Sequence, residues 1–349
     1  MKAMSLHNMY SLQRRLKRKL PYVLIVLFLI FGYFGGFFSD LISSAERDPF
    51  AELSSSTLKK ILNLERENQR LRSALKRFNI AEDEYFDNTL SVIYVITPTY
   101  TRPQQKAELT RLKNIFLHIP SLHWIVVEDA EEKSMLVSQF LKLSGLPYTH
   151  LNQPTPEEWK LQKNDPNWRK PRGVLQRNLG IHWLRRKFTA GNIRKGVVYF
   201  ADDDNTYSIE LFNEMRDTKT VSVWPVGLVG GVMVERPQVS LVDYQSRYEV
   251  SGWLTGWRPD RPFATDMAGF AINLNLLVTN PDAEFSLKSK RGFMESDFLE
   301  KITTLSELEP KADLCTKVYV WHTQTLKPDL KDEERLRQAG RSTDVGIEV

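Results

Sequence analysis

Cysteine is almost missing from this chain: Cys315 is the only one in 349 residues. An intrachain disulfide is therefore impossible, and so is a cysteine-based zinc centre. Cys315 itself reads as a buried apolar residue, with an intermolecular bridge as the alternative. No N-x-[ST] sequon occurs, so N-glycosylation is not expected. No G-x-G-x-x-G follows the first strand-like run, which argues against a dinucleotide oxidoreductase. No G-x-x-x-x-G-K-[ST] occurs either, which argues against a P-loop NTPase. The six histidines are scattered without an H-E-x-x-H, and there is no G-x-S-x-G. Zinc-hydrolase and α/β-hydrolase chemistry therefore lack support.

Acids are missing from residues 1–19, which carry Lys2, Arg14, Arg15, Lys17, Arg18 and Lys19. Residues 20–39 carry no charge at all, and that length is enough for a helix to cross a bilayer. The basic flank is expected to stay cytoplasmic, making 1–19 a tail and 20–39 an uncleaved signal-anchor helix. A cleaved secretory signal is the alternative. It requires a shorter apolar region and a small-residue site, which Gly36-Phe37-Phe38-Ser39 matches poorly. The charge follows this topology: without those six basic residues, 42 basic face 43 acidic ones. The high pI is then no footprint of nucleic acid.

Residues 40–89 read as a stem. Its first part is polar and linker-like. In its second part Ile61, Leu64, Asn68, Leu71, Leu75 and Phe78 recur at spacings of three and four. This suggests a short coiled coil over 57–78 with Asn68 at an a position, hence a homodimer. The alternative is a lone amphipathic helix packed on the globular part. From residue 90 onward strand-like and helix-like runs alternate: 91–96 broken by Pro98, 104–116, 124–127, 174–187, 197–200, 221–226 and 268–272. Such alternation predicts an α/β sandwich with a mainly parallel sheet.

The run at 197–205, VVYFADDDN, places three carboxylates at the end of a buried strand. In open α/β sheets, ligands bind beyond the carboxyl ends of strands. Adjacent acids there suit a hard divalent cation shared with a substrate's phosphates. Taken alone, the run fits an acidic turn capping a helix near Ser208 at least as well. The aromatics Trp253 and Trp257 and the scatter of arginines tilt the balance toward a nucleotide-sugar transferase, since rings stack on sugars and arginine forks grip diphosphates.

Several segments in order carry a more specific likeness. They are Ile96-Thr97-Pro98-Thr99-Tyr100, WIVVEDA at 124–130, PRGVLQRN at 171–178, YFADDDNTY at 199–207, VWPVGLVGG at 223–231, DMAGF at 266–270 and Trp321-His322-Thr323. Across residues 90–349 the chain resembles the animal β1,3-glucuronyltransferases. The resemblance implies a GT-A fold, a Rossmann-like nucleotide-sugar-binding sheet joined to an acceptor-binding half. It also implies UDP-glucuronic acid as donor, Mn²⁺ as cofactor, inversion at the anomeric carbon, and a single-pass type II Golgi membrane protein with a luminal catalytic domain.

By position in these motifs, Pro98, Thr99, Tyr100 and Asp129 are expected to hold uracil and ribose, and Arg172 and Arg177 to meet the donor. Asp202 and Asp203 are expected at the donor ribose and in organising the site, and Asp204 as the direct metal ligand. Arg291 and His322 would contact the donor, an arginine fork suiting a glucuronate carboxylate. Glu235, Arg261 and Asp266 would contact the acceptor galactose, with Trp257 as a stacking surface. Arg261 and Asp266 could equally form a structural ion pair. Glu295 matches the catalytic base that an inverting transfer needs on the acceptor side. One departure stands out: Gln324 occupies the place of the family's usual arginine, with Lys327 nearby. Two acceptor types remain open, the galactose-galactose-xylose linkage region of proteoglycans and galactose-N-acetylglucosamine glycans. The alternative function is a weakly active or donor-altered Golgi scaffold paired with an active relative.

Overall fold

The computed structural model describes residues 86–349 apart from 88, 162–164, 167–168, 189–193, 243–247, 346 and 348–349, together with 59–60, 63–64 and 66–67. The anchor expected at 20–39 and most of the coiled coil expected at 57–78 lie outside the described residues. The chain divides into a unit spanning Met1–Ala74, whose described positions are helical and exposed, and a unit spanning Leu75–Val349.

The second unit contains, in order, β1 (Val92–Thr99), α1 (Gln105–Phe116), β2 (Leu122–Glu128), α2 (Met135–Lys142), β3 (Tyr148–Asn152), α3 (Val174–Lys187), β4 (Gly196–Phe200), β5 (Thr206–Tyr207), α4 (Ile209–Met215), β6 (Val221–Val223), β7 (Val226–Val229), β8 (Val232–Leu241), β9 (Tyr248–Leu254), β10 (Phe270–Asn273), α5 (Leu274–Thr279), α6 (Met294–Leu299), β11 (Leu308–Pro310), α7 (Ala312–Cys315), β12 (Val320–Trp321) and α8 (Lys331–Gln338). A seven-stranded sheet has the order β11-β6-β10-β4-β1-β2-β3. β3, β2, β1 and β4 run parallel, β10 runs against both β4 and β6, and β11 is parallel to β6. The sheet is thus mixed α/β, with its antiparallel insertion at β10.

The central strands are apolar at nearly every position because helices cover both faces. Alternate residues of β1 point opposite ways. Val92, Tyr94 and Ile96 pack with α3 and with Phe200, Phe270 and Phe298. Ile93 and Val95 pack with Trp124, Tyr199 and the apolar faces of α1, α2 and α4. Gly180 lets α3 lie close to β1, since a Cβ there would fall 2.8 Å from Ile96 Cγ2.

Two prolines change the expected strands. Pro98 does not break β1, which continues to Thr99 with Pro98 opposite Val127. The pairing with β4 ends at Ile96, so beyond that point β1 has a neighbour on one side only and a missing N–H is tolerated. Pro225 does break the run 221–226. β6 stays in the large sheet while β7 enters a second sheet of order β5-β12-β7-β8-β9. That second sheet forms the other half of the fold. Cys315 is fully buried, its thiol pushed up to about 12 by burial, in keeping with an apolar role.

Candidate active site

The ends of β1, β2 and β4 meet at one edge of the large sheet and carry the expected donor residues. Thr99 is buried and donates its hydroxyl to Asp203 at 2.7 Å. Tyr100 is exposed beside it. Asp129 follows β2, and its N–H donates to the Thr99 carbonyl at 2.8 Å. Both Asp129 carboxylate oxygens accept from Thr155, from its N–H at 2.6 Å and its hydroxyl at 2.7 Å.

The three acids after β4 do not converge on one point, contrary to the simplest reading of the run. Among the described residues no three His, Cys, Asp or Glu side chains gather in a metal-holding group. Asp202 pairs with buried Arg177. Asp203 is held by Thr99 and by Arg102 Nη2 at 2.7 Å. Asp204 alone has no hydrogen bond to its carboxylate among the described residues. Its backbone carbonyl is fixed instead, by Arg111 at 2.8 Å and the Thr323 hydroxyl at 2.7 Å. Burial, then the charges of Asp202 and Asp203, push its carboxyl up to about 6. A hard oxygen donor in that position fits a divalent cation, which would relieve the repulsion.

Local sequence explains the placement of Arg177. Gly173 caps α3 with φ +69, and a Cβ there would sit 2.7 Å from Arg177 Nη1. Arg177 also donates to the Arg172 carbonyl at 2.9 Å, so Arg172 contributes backbone here while its own side chain is exposed.

A second pair of groups lies across the site. Asp266 faces His322 Nδ1 at 3.4 Å. The imidazole is raised to about 9, chiefly by that carboxylate. Burial alone would raise Asp266, but the His322 ring and the Ala268 amide outweigh it and hold the carboxyl below its usual range. Glu295 is half-buried in the first turn of α6. Its carboxyl is pushed up to about 7, first by removal from water and then by the Asp266 charge. α6 is docked firmly: Phe298 stacks on Phe285 at 4.2 Å between ring centres, and Ser296 Oγ bonds both backbone groups of Phe263.

The residues expected to meet the acceptor form a third group. Glu235 and Arg261 make a buried pair at 2.9 Å. Arg261 also donates to the carbonyls of Trp257, Arg258 and Thr265. The ion pair weighed between Arg261 and Asp266 does not form: Arg261 pairs with Glu235, and Asp266 with His322. Trp257 is partly exposed and lies under the Arg291 guanidinium, 4.7 Å from the ring centre.

The family model of glycosyltransferase family 43 matches residues 112–326. The chain belongs to glycosyltransferase family 43. Among its relatives, galactosylgalactosylxylosylprotein 3-beta-glucuronosyltransferase 2 of Homo sapiens is 56% identical over 247 residues, 70% of this chain and 73% of that protein. Galactosylgalactosylxylosylprotein 3-beta-glucuronosyltransferase 1 of Homo sapiens is 52% identical over 249 residues, 71% of this chain and 73% of that one. The solved structure of S. aureus TarS 1-349 in complex with UDP-GlcNAc is a distant likeness, with 18% identity and a TM-score of 0.39 over 69% of this chain and 60% of that one. It carries no weight here.

In this family 43 glycosyltransferase, residues that the motifs did not single out also contact the acid run. Arg102 pairs with Asp203 and with Glu108, and its guanidinium lies 4.4 Å from the Tyr100 ring centre. Gln105 donates to the Thr99 hydroxyl at 3.2 Å. Gln105, Glu108 and Arg111 therefore form one face of α1, bracing the acid run from behind. The available signal is spacing, since positions three apart share a helix face. Gln324 is exposed, with its amide 3.4 Å from His322 Nε2, and Lys327 is exposed as well.

Proposed function

We propose that this enzyme transfers glucuronic acid from UDP-glucuronic acid to the 3-hydroxyl of a terminal β-galactose, with inversion. Its relatives, named for 3-beta-glucuronosyl transfer to galactosylgalactosylxylosylprotein, support the donor and the acceptor class. The same likeness supports a GT-A arrangement, with the large sheet binding the nucleotide and the second sheet facing the acceptor.

The observation that carries the mechanism is a divergence between two neighbouring carboxyls. Asp266 is held low beside His322, while Glu295 is raised to about 7. Carboxyls whose surroundings push them apart are suited to different tasks. Glu295 takes the proton of the attacking galactose hydroxyl as general base, near the pH at which such a base works best. Asp266 stays ionised and keeps His322 cationic and aimed at the donor. Arg177, itself buried against Asp202, faces the donor's negative charge. Thr99, Tyr100 and Asp129 shape the uridine end, and Arg291 selects the glucuronate carboxylate. Asp204 is the residue that would hold Mn²⁺. When bound there, the ion supplies charge neutralisation for the departing diphosphate. Anchoring by residues 20–39 in the Golgi membrane and pairing through the stem complete the proposed arrangement.

The test is transfer by the full chain to galactose-β1,3-galactose and to galactose-β1,4-N-acetylglucosamine, with Mn²⁺ and with EDTA. Metal-dependent transfer that Glu295→Ala abolishes while UDP binding persists is the expected result. The preferred acceptor then assigns the pathway. UDP binding without transfer to either acceptor would overturn this reading. It would favour the scaffold role that Gln324 suggests.

A further inference from the structure

Asp129 stands in a frame built from the ends of β2 and β3 and the first turn of α3. β3 runs parallel to β2, with Glu128 opposite Asn152. The ladder goes one step further, the Gln153 N–H donating to the Glu128 carbonyl at 2.9 Å. The chain beyond β3 therefore overshoots the end of β2. It brings Thr155 round to the Asp129 carboxylate, where its N–H takes one oxygen and its hydroxyl the other. Asn152 holds the loop that follows Asp129, through the carbonyls of Ala130 at 3.3 Å and Glu131 at 2.7 Å. Glu128 closes that loop by accepting from the N–H and the hydroxyl of Ser134, each at 2.6 Å.

Gln176 completes the frame from α3. It is buried in the first turn of that helix. Its Nε2 donates to the Gln153 carbonyl at 2.6 Å and to the Thr155 hydroxyl at 3.3 Å. The bond to a carbonyl fixes which end of the amide is nitrogen. The Thr155 hydroxyl thus accepts from Gln176 and donates to Asp129. The other end of the amide, Oε1, is buried with no hydrogen-bond partner among the described residues. A buried acceptor left in that state costs stability, so packing alone is a poor account of an amide here. Arg177, the next residue, is committed to Asp202 and to the Arg172 carbonyl. One turn of α3 therefore braces both Asp129 and Asp202.

A carboxylate oxygen has two lone pairs. Thr155 takes one on each oxygen of Asp129 and so fixes the plane in which the others point. Uracil and cytosine differ at N3, which is an N–H donor in uracil and an acceptor in cytosine. A carboxylate locked in place accepts from the first and repels the second. A carboxylate free to turn can reach the exocyclic amine of cytosine instead, a pairing that acids do make. We propose that Thr155 and Gln176 are positioning residues that make Asp129 select uracil over cytosine in the donor nucleotide, which rests on the donor reading given above. Tyr100, exposed beside Asp129, offers a ring face on which either base could lie, so the choice falls to the carboxylate.

The test is calorimetric binding of UDP and of CDP to the full chain with Mn²⁺, for the wild type and three variants. Base choice is the readout, because a purely structural role would weaken both nucleotides alike. The wild type is expected to bind UDP more tightly than CDP. Thr155→Val removes the hydroxyl and nearly keeps the shape. Gln176→Met removes the amide and keeps an unbranched side chain. Each is expected to narrow the UDP-to-CDP ratio about three- to tenfold, the scale of one hydrogen bond. Thr155→Ser keeps the hydroxyl and is expected to keep the ratio. A ratio unchanged in both Thr155→Val and Gln176→Met would overturn the proposal, as would an equal loss of the two nucleotides. A ratio lost as fully in Thr155→Ser would overturn it too, since the hydroxyl would not be the acting group. Equal binding of UDP and CDP by the wild type would also overturn it. A wild type that binds neither would instead overturn the donor reading beneath it, so the two failures are told apart.

Discussion

Arg102 ties the carboxyl end of β1 to the acid run after β4. Its Nη2 lies 2.7 Å from Asp203, its second acidic partner is Glu108, and its guanidinium sits over Tyr100. Asp203 is buried, so removing the arginine leaves two acids without their partner. Breaking such a pair from one side costs about 3–5 kcal/mol. Arg102→Ala is therefore expected to lower the melting temperature and to weaken UDP binding more than about tenfold. Arg102→Lys keeps the charge but not the fork, and is expected to fall between. A stability loss with UDP affinity unchanged in the folded fraction would make the bridge a structural element only.

Glu295 makes opposite demands on activity and stability. In the folded chain it holds its proton up to about 7, against 4.5 in an open chain. Its ionisation therefore opposes folding as pH rises from 4.5 to about 7, and the penalty persists above that. Transfer, which needs the ionised base, is expected to rise with pH through about 7. Glu295→Gln should abolish transfer yet stabilise the fold at pH 8 by on the order of 2 kcal/mol, read by thermal melts at pH 5 and pH 8. A variant no more stable at pH 8 than the wild type would show that the carboxyl is well solvated.

Much of this was legible from pattern alone, for physical reasons. β4 and α3 stand where expected because two-sided burial demands a continuous apolar run and a capping glycine opens the helix. Pro98 misleads because a proline's effect depends on whether a neighbouring strand needs its N–H. The ribbon β8–β9 is hidden because the buried positions in the middle of β8 are Glu235 and Pro237, so no run of alternating apolar residues announces the strand. α7 carries four successive positive φ angles, 56, 54, 53 and 60°, with no glycine to announce them. A distant carboxylate, Glu214, caps its first N–H at 3.0 Å. The acids of the site were visible as a string, but their partners were not. Arg102 and Glu108 become neighbours of Asp203 only when β1 and β4 pair.

The Glu235–Arg261 pair clasps the loop that carries Trp257 and Arg258. The Nε, Nη1 and Nη2 atoms of Arg261 all donate within the protein, which leaves it a positioning role. Arg261→Ala should cost about 3–5 kcal/mol and raise the acceptor KM more than the donor KM. Replacing both residues with apolar ones, as in E235L/R261M, should recover most of the stability, because no charge is then left buried alone. If the double variant is stable and its acceptor KM is that of the wild type, the clasp does not set the loop.

Gly227 tests how the second sheet delivers His322. It pairs with Trp321 in β12, and its carbonyl accepts from the His322 N–H at 2.9 Å. A Cβ at this position would fall 2.4 Å from Trp321 Cδ1 and 3.2 Å from Val318 Cγ1. The indole must therefore move, and His322 is the next residue along. Overpacking of this kind costs about 1–3 kcal/mol. The more telling effect is local. The His322 ring is raised to about 9 chiefly by Asp266 at 3.4 Å, so a shift of β12 that widens this gap lets the value fall toward 6.5. Gly227→Ala should then show an imidazole titrating at lower pH by NMR, together with weaker UDP binding above neutral pH, where the ring has lost its charge. An unchanged titration would mean that Trp321 turns aside without moving the strand, and that the alignment of His322 is set by Asp266 rather than by the sheet.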